Sequence, residues 1–522
     1  MKTDKLAFWY LIATLLLAIA GAVSMNMTYF WYDEHMYIAA SIFVSKGYSL
    51  YQDFAYLQMP YLPILYGNLF KILGIESHYL LIGKLFSLFF LTLASLVLYL
   101  LSRRILHDRF LSLGIVILFL LNLNILSSAA LATNFIMPVA FSIISFYLFY
   151  ISFFENRIKL LGIMFAGIFL ALAIGTKLTF ATLTAPFAMM IICFMLWNKN
   201  SSENYRKSIL CILFYLTGII IGLLPVLLFI SDLESFIFNN LGFHNFNTQW
   251  RQITEFDGPM SLHSKLQYAY RHFFKSDNLI LLLAISLGFG LSVRIFQSMR
   301  ETYQQLPAGT TLTFFLVLIA IVTALIPTPT WSHYYSIPIS FLFILLIFSF
   351  ATDSGKISTI HKRLIIILLF ITTVYNGPSF LTFISRLSHE ESWTALKLQA
   401  ISTNMRIALL ENNIGTDRKI ASLSPLYALE SNLSIYPEFS TGPFLYRIGD
   451  LLTAQQRDHF VGTSANSLSE LFSKDPPAAI IIGSNEDGDL TALNQPLIEY
   501  AIANNYRKIP IAGFTGEFYI MP

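Results

Sequence analysis

Two adjacent carboxylates, Asp33 and Glu34, follow the first long apolar stretch inside the run Tyr29-Phe30-Trp31-Tyr32-Asp33-Glu34-His35, where a bilayer would meet water. In a chain that is 56% hydrophobic and only 12% charged, paired acids at a membrane face are costly to keep. Proton transfer is the chemistry carboxylates at such a place can do. The structural alternative is an acidic pair at the N-terminus of a surface helix, where such charges are favourable by about 0.3–1 kcal/mol. Cations are expected at the same face. Lys84 and Lys177 fall at outer ends of apolar segments, Arg251 in a polar loop and His333 in a short turn after Pro327, Pro329 and Trp331. Each can hold an anion. Snorkelling to the interface is the alternative for the two lysines, and a place in the interfacial aromatic belt for His333.

The elements that must position these groups follow from the bulk pattern. The chain has 522 residues, 15% aromatics and a mean hydropathy of +0.63. Apolar runs of about 20 residues recur from end to end, which excludes a soluble globule and implies a polytopic helical membrane protein. Spans are expected at about 6–26, 79–101, 110–128, 134–153, 160–176, 178–197, 208–231, 278–297, 310–327, 335–351 and 364–384, about eleven in all. With a cytoplasmic N-terminus, every short inner loop is basic: Arg103, Arg104 and Arg109; Arg157 and Lys159; Lys199, Arg206 and Lys207; Arg294 and Arg300; Lys356, Lys362 and Arg363. The odd parity then exports residues 27–78, 232–277, the turn at His333 and the whole polar stretch 390–522. The net charge of +3 is a product of this topology and implies no nucleic-acid partner. Cys193 and Cys211 supply neither a disulfide framework nor a cysteine metal site. The N-terminus imitates a secretory signal, with Ala18-Ile19-Ala20 as a cleavage-like triplet, but its apolar run continues past Gly21, so an uncleaved anchor is expected.

Two domains result, a membrane domain over 1–389 and a small α/β domain over 390–522. In the second, a helical pattern covers Thr394 to Glu411, strands are expected at Ile420–Leu423, Ala478–Ile482 and Phe518–Ile520, and a helix at Pro496–Asn504. Ser467 and Glu470 have capping-box spacing. Asp487-Gly488-Asp489 mimics a metal-binding Asp-x-Asp, but no Gly-rich phosphate cradle accompanies it, so a polar turn is expected.

The first exported loop carries the most information. After Asp33-Glu34 come Gly47, Tyr51 and Asp53 in a Gly-x-x-x-Tyr-x-Asp element, a Pro-containing helix from Pro60 to Tyr66, and Lys84 entering the next span. Gly175-Thr176-Lys177 forms a short turn between spans, Trp331-Ser332-His333-Tyr334-Tyr335-Ser336-Ile337-Pro338 another, and the tail has Leu423-Ser424-Pro425 with Ala428-Leu429-Glu430 and Ile435-Tyr436-Pro437. This set resembles the membrane glycosyltransferases of the GT-C superfamily, in the bacterial branch related to protein O-mannosyltransferases and lipid A aminoarabinose transferases. The resemblance implies transfer of a sugar from a polyprenyl-phosphate donor to a protein, lipid or glycan acceptor, on the outer face of a bacterial inner membrane. It assigns Asp33 and Glu34 to catalysis, and Asp53, Lys84, Lys177, His333 and Tyr335 to substrate binding; Arg251, in a loop of amide and aromatic residues, joins them as a phosphate candidate by its residue type. Asp53 reads equally as a turn former. Members often carry a second acid between spans three and four, where this chain has Asn134. An amide holds a metal poorly, so no metal or other cofactor is expected.

The implied chemistry needs little at the leaving group, because a phosphate departs without a strong acid. The demand lies opposite: the acceptor hydroxyl must lose its proton as it attacks an oxocarbenium-like carbon, so one carboxylate serves as base and the configuration inverts. Asp33 takes that role, with Glu34 orienting it or the acceptor. A secondary transporter is the first rival, but it would place ionisable groups at mid-span and break helices in matched pairs. A non-catalytic scaffold for polysaccharide assembly is the second.

Overall fold

Apolar backbone in a bilayer must satisfy its own polar groups, so long apolar runs close into helices. The computed structural model describes residues 2–155, 158–197, 202–296, 305–351, 359–483 and 490–522. Arg157, Lys199, Arg300, Lys356 and the Asp487-Gly488-Asp489 triplet lie outside the described residues. Eight described helices are long and apolar enough to cross a membrane, and ten segments qualify if each of two bent pairs is one span. The protein is therefore a polytopic helical membrane protein. The expected segment 160–176 forms the helix Leu160–Thr176, shorter than these but equally apolar.

The two bends share a cause. Arg109–Leu121 meets Leu123–Ala129 at 66°, and Leu262–Phe274 meets the helix from Asn278 at 68°. Asn122 caps the first break through Ile125 N (3.1 Å). Asp277, buried in the second break, reaches across to it: its Oδ2 accepts from Leu123 N at 2.9 Å, Asn122 Nδ2 at 3.3 Å and Asn376 Nδ2 at 3.3 Å. Backbone groups freed by the kinks are thus satisfied within protein.

Small residues set the closest helix contact. Gly218 and Gly222 on Ser202–Leu228 face Gly167 and Ala171 on Leu160–Thr176. A methyl at Gly218 would stand 2.1 Å from Met164 O, and one at Gly167 2.3 Å from Tyr215 O. This Gly-x-x-x-Gly spacing lets two backbones touch where lipid supplies no hydrophobic drive.

The loop between the first two spans folds into short helices, Asp33–Ser45 and Tyr61–Ile72. The tail forms a five-stranded sheet from β1 (Lys419–Ser422), β2 (Ser434–Ile435), β3 (Ala479–Ile482), β4 (Arg507–Ile509) and β5 (Glu517–Ile520), in the order β2-β1-β3-β5-β4. β1 runs parallel to β2 and β3, while β5 runs antiparallel to β3 and β4. Every residue of β3 is buried, matching its unbroken apolar run. Two tail details depart from expectation. The helix around Pro496 begins earlier, at Thr491. Ser467 makes no capping box with Glu470; its hydroxyl accepts instead from Ser464 N at 2.8 Å, closing a box one turn upstream.

The tail sits on the loop between the first two spans and on the second span. Buried Glu430 accepts from Tyr79 N (3.0 Å) and Leu80 N (2.6 Å), so it caps the N-terminus of Tyr79–Leu106. Leu426 N donates to His35 Nδ1 (3.3 Å), and Phe460 stacks on Phe238 with centroids 3.8 Å apart.

Candidate active site

Asp33 is the first residue of the helix Asp33–Ser45, and Glu34 the second. Because Cα–Cβ vectors at adjacent helical positions diverge by about 100°, two neighbouring acids cannot face the same place. Glu34 turns inward. Its carboxylate is fully buried, 3.1 Å from Lys84 Nζ, and accepts from Ala132 N (2.7 Å) and Trp31 N (3.2 Å). Lys84 is equally buried and also donates to Tyr29 O (2.7 Å) and Ala130 O (3.0 Å). The pair ties the helix start to the second span and to the turn after Ala129.

Asp33 turns the other way, into a cavity of about 760 Å³ between the loops over 27–78 and 232–277, the span ends and the tail. Among the described residues it is the one carboxylate lining that cavity, and its oxygens accept no hydrogen bond from them. Burial pushes its carboxyl up to about 6, while Arg447, Lys177 and Arg251 pull the other way. A carboxylate so placed is poised as a base near neutral pH.

Three cations line the same wall. Lys177 follows the helix Leu160–Thr176 in extended backbone and lies over the rings of Phe135 (4.5 Å) and Tyr334 (4.9 Å). Arg251, near the end of Phe243–Ile253, lies over Phe256 (4.0 Å) and Trp331 (5.6 Å). Burial first, and then the charge of Arg447, lower its pKa to about 10. His333 also lines the cavity, stacked flat on Phe135 at 4.0 Å. The third cation, Arg447, comes from the tail.

The sequence-derived residues therefore separate. Asp33, Lys177, Arg251 and His333 share the cavity. Lys84 and Glu34 do not line it, because their mutual charge is compensated only in the interior. Asp53 does not line it either: it is exposed, and its Oδ2 closes a turn on Ser49 N at 2.7 Å. Tyr335 is buried behind the wall, 4.6 Å from the ring of His272, while its neighbour Tyr334 faces the cavity. Asn134, in the place of the expected second acid, accepts from Tyr37 Oη (2.8 Å) and donates to Gln58 Oε1 (3.1 Å) and Thr176 O (3.3 Å). Among the described residues, no group of three or more His, Cys, Asp or Glu is placed to hold a metal ion.

Arg447 was not legible in advance. Gly442, at φ +59°, and Pro443 launch the short helix Pro443–Ile448, which carries Phe444 and Arg447 on one face. A Cβ at Gly442 would lie 2.8 Å from Leu423 O. Phe444 stacks on Tyr32 at 5.4 Å, and Arg447 lies over both Phe444 (5.0 Å) and Trp250 (5.3 Å). The local signal was only an arginine among aromatics after a Gly-Pro turn.

A bundle of broken and unbroken spans, two short helices over one end and a charged cavity roofed by a small β-containing tail make up the architecture. The model of the dolichyl-phosphate-mannose-protein mannosyltransferase family matches residues 56–234. No curated protein matches by sequence. Among solved structures, apo ArnT from Cupriavidus metallidurans superposes with a TM-score of 0.59 at 12% identity, covering 99% of this chain and 98% of that one. The same protein bound to undecaprenyl phosphate gives 0.58 at 14% identity, covering 98% and 97%. The chain therefore has the fold of these two structures over nearly its whole length, tail included.

Proposed function

We propose that this protein is a glycosyltransferase of the inner membrane of a bacterium, moving a sugar from a polyprenyl-phosphate carrier to an acceptor hydroxyl on the extracytoplasmic face. The N-terminus is cytoplasmic, and the membrane domain over 1–389 presents its outer loops to the exported domain over 390–522. The acceptor oxygen attacks the anomeric carbon, the carbon–oxygen bond to phosphate breaks, and the acceptor proton passes to Asp33, inverting the configuration. Lys177, Arg251 and His333 hold the departing phosphate, and aromatic rings around them exclude water.

One observation carries this reading: a solitary carboxylate with no protein hydrogen bond among the described residues faces cations across a cavity large enough for a sugar phosphate. The undecaprenyl phosphate bound to the ArnT of like fold supports a carrier of that class as the donor. Cells lacking the protein are expected to accumulate a polyprenyl-phosphate monosaccharide, detected by mass spectrometry of their lipids. The wild-type gene should clear it, and Asp33→Asn, present at equal level, should do so about 10²–10⁴-fold more slowly. Clearance by Asp33→Asn at the wild-type rate would remove the base from the mechanism.

A further inference from the structure

The cavity holds more positive charge than its one carboxylate answers. Arg447 is nine-tenths buried and makes no salt bridge with any described carboxylate; its guanidinium hydrogen-bonds the Tyr32 hydroxyl, but its Nε has no partner. Arg251 is also buried, with its Nε unpartnered, and lies close enough to Arg447 to feel its charge. The two arginines stand on different domains, one on the second outer loop and one on the tail. Both are held flat by aromatic rings: Phe256 and Trp331 under Arg251, Phe444 and Trp250 under Arg447. Stacking of this kind fixes a guanidinium plane and leaves its edge N–H groups free. Two like charges brought together in a cavity wall, each with an unpartnered Nε, are stabilised when an anion sits between them.

We propose that Arg447 is a substrate-contacting residue, which with Arg251 forms a two-guanidinium clamp on a phosphate, so that the tail domain supplies part of the binding site. The proposal rests on the glycosyltransferase reading above. It gives the tail a chemical task in addition to packing. The clamped phosphate is either that of the lipid donor or an anionic group beside the acceptor hydroxyl.

The test uses the full chain in detergent, with undecaprenyl phosphate as the probe, comparing wild type, Arg447→Ala, Arg447→Lys and Arg251→Ala. Binding is followed by titration and by the ligand-induced rise in thermal midpoint. If the clamp holds the donor phosphate, Arg447→Ala weakens undecaprenyl phosphate at least about tenfold and flattens the salt dependence of binding, with partial recovery in Arg447→Lys. If it holds an acceptor-side anion, the variant binds undecaprenyl phosphate normally. It then loses the further stabilisation that inorganic phosphate gives wild type at saturating lipid. Lost packing alone lowers the midpoint of the free protein and leaves the salt dependence unchanged. Unchanged lipid affinity together with an unchanged phosphate response overturns the clamp. A wild type that binds no undecaprenyl phosphate refutes the proposed function instead.

Discussion

At the scale of single residues, two neighbouring acids have opposite fates because one helical step turns them apart. Asp33, with its carboxyl raised to about 6 by burial, must be ionised to accept a proton. The sign follows directly: above about 7 kcat/KM for sugar transfer falls as Lys177, lowered by burial to about 7, loses its charge, and below 6 it rises about tenfold per pH unit. A pH profile in reconstituted membranes checks this, and the residual activity of Asp33→Asn should lack that limb. Glu34 and Lys84 belong to the scaffold. Removing one partner leaves the other charge buried and uncompensated, a loss of about 3–5 kcal/mol. Both Glu34→Gln and Lys84→Met are therefore expected to lower the thermal midpoint in detergent by many degrees, and the double substitution Glu34→Gln with Lys84→Met by less than the sum of the two. An additive double variant would exclude the pairing. The acidic pair was plain in the sequence, but which acid faced the cavity was not, since that depends on how the helix is rotated against the second span.

At the scale of elements, the close crossing of Leu160–Thr176 and Ser202–Leu228 depends on Gly167, Gly218 and Gly222. These helices carry Lys177 at the end of one, and Gly222 O on the other accepts from Tyr61 Oη of the short helix Tyr61–Ile72. Gly218→Leu drives a side chain into the backbone of Met164 and is expected to cost on the order of 1–3 kcal/mol, read as a lower midpoint and reduced transfer. Gly290→Ala, where a Cβ meets nothing within 4 Å, serves as the control and should be silent. Helix positions were legible from hydropathy, because a bilayer leaves apolar backbone one choice. The 66° and 68° breaks were not, because Asn122 and Asp277 come from separate segments and act only when folded together.

At the scale of the whole molecule, the tail and the membrane domain are joined by buried polar contacts. Glu430 caps the second span, although burial pushes its carboxyl up to about 7. A folded pKa above the unfolded one means the folded state binds the extra proton. The contribution of Glu430 to stability is thus fully present below the unfolded value, near 4.3, and is lost as pH rises through 7. The midpoint difference between wild type and Glu430→Gln should accordingly shift in favour of the glutamine variant between pH 5 and pH 8. A pH-independent difference would show that Glu430 keeps one protonation state throughout. The tail strands were legible from short apolar runs such as Ala479–Ile482. Its role as the roof of the cavity was not, because nothing around Gly442-Pro443-Phe444 marks a partner more than 400 residues upstream at Tyr32.

The sequence by itself determined what depends on composition and short-range pattern: a helical membrane protein, a first loop bearing paired acids, a small mixed domain at the end, and a set of cations at span ends. Tertiary structure alone decided which charges face each other. Lys84 resembled an anion-binding residue until burial paired it with Glu34, and Arg447 resembled nothing until the tail folded back over the loop. The physical reason is common to both. Hydropathy is summed along the chain, whereas the fate of a charge depends on its compensation in three dimensions, and that comes from residues the chain holds far apart.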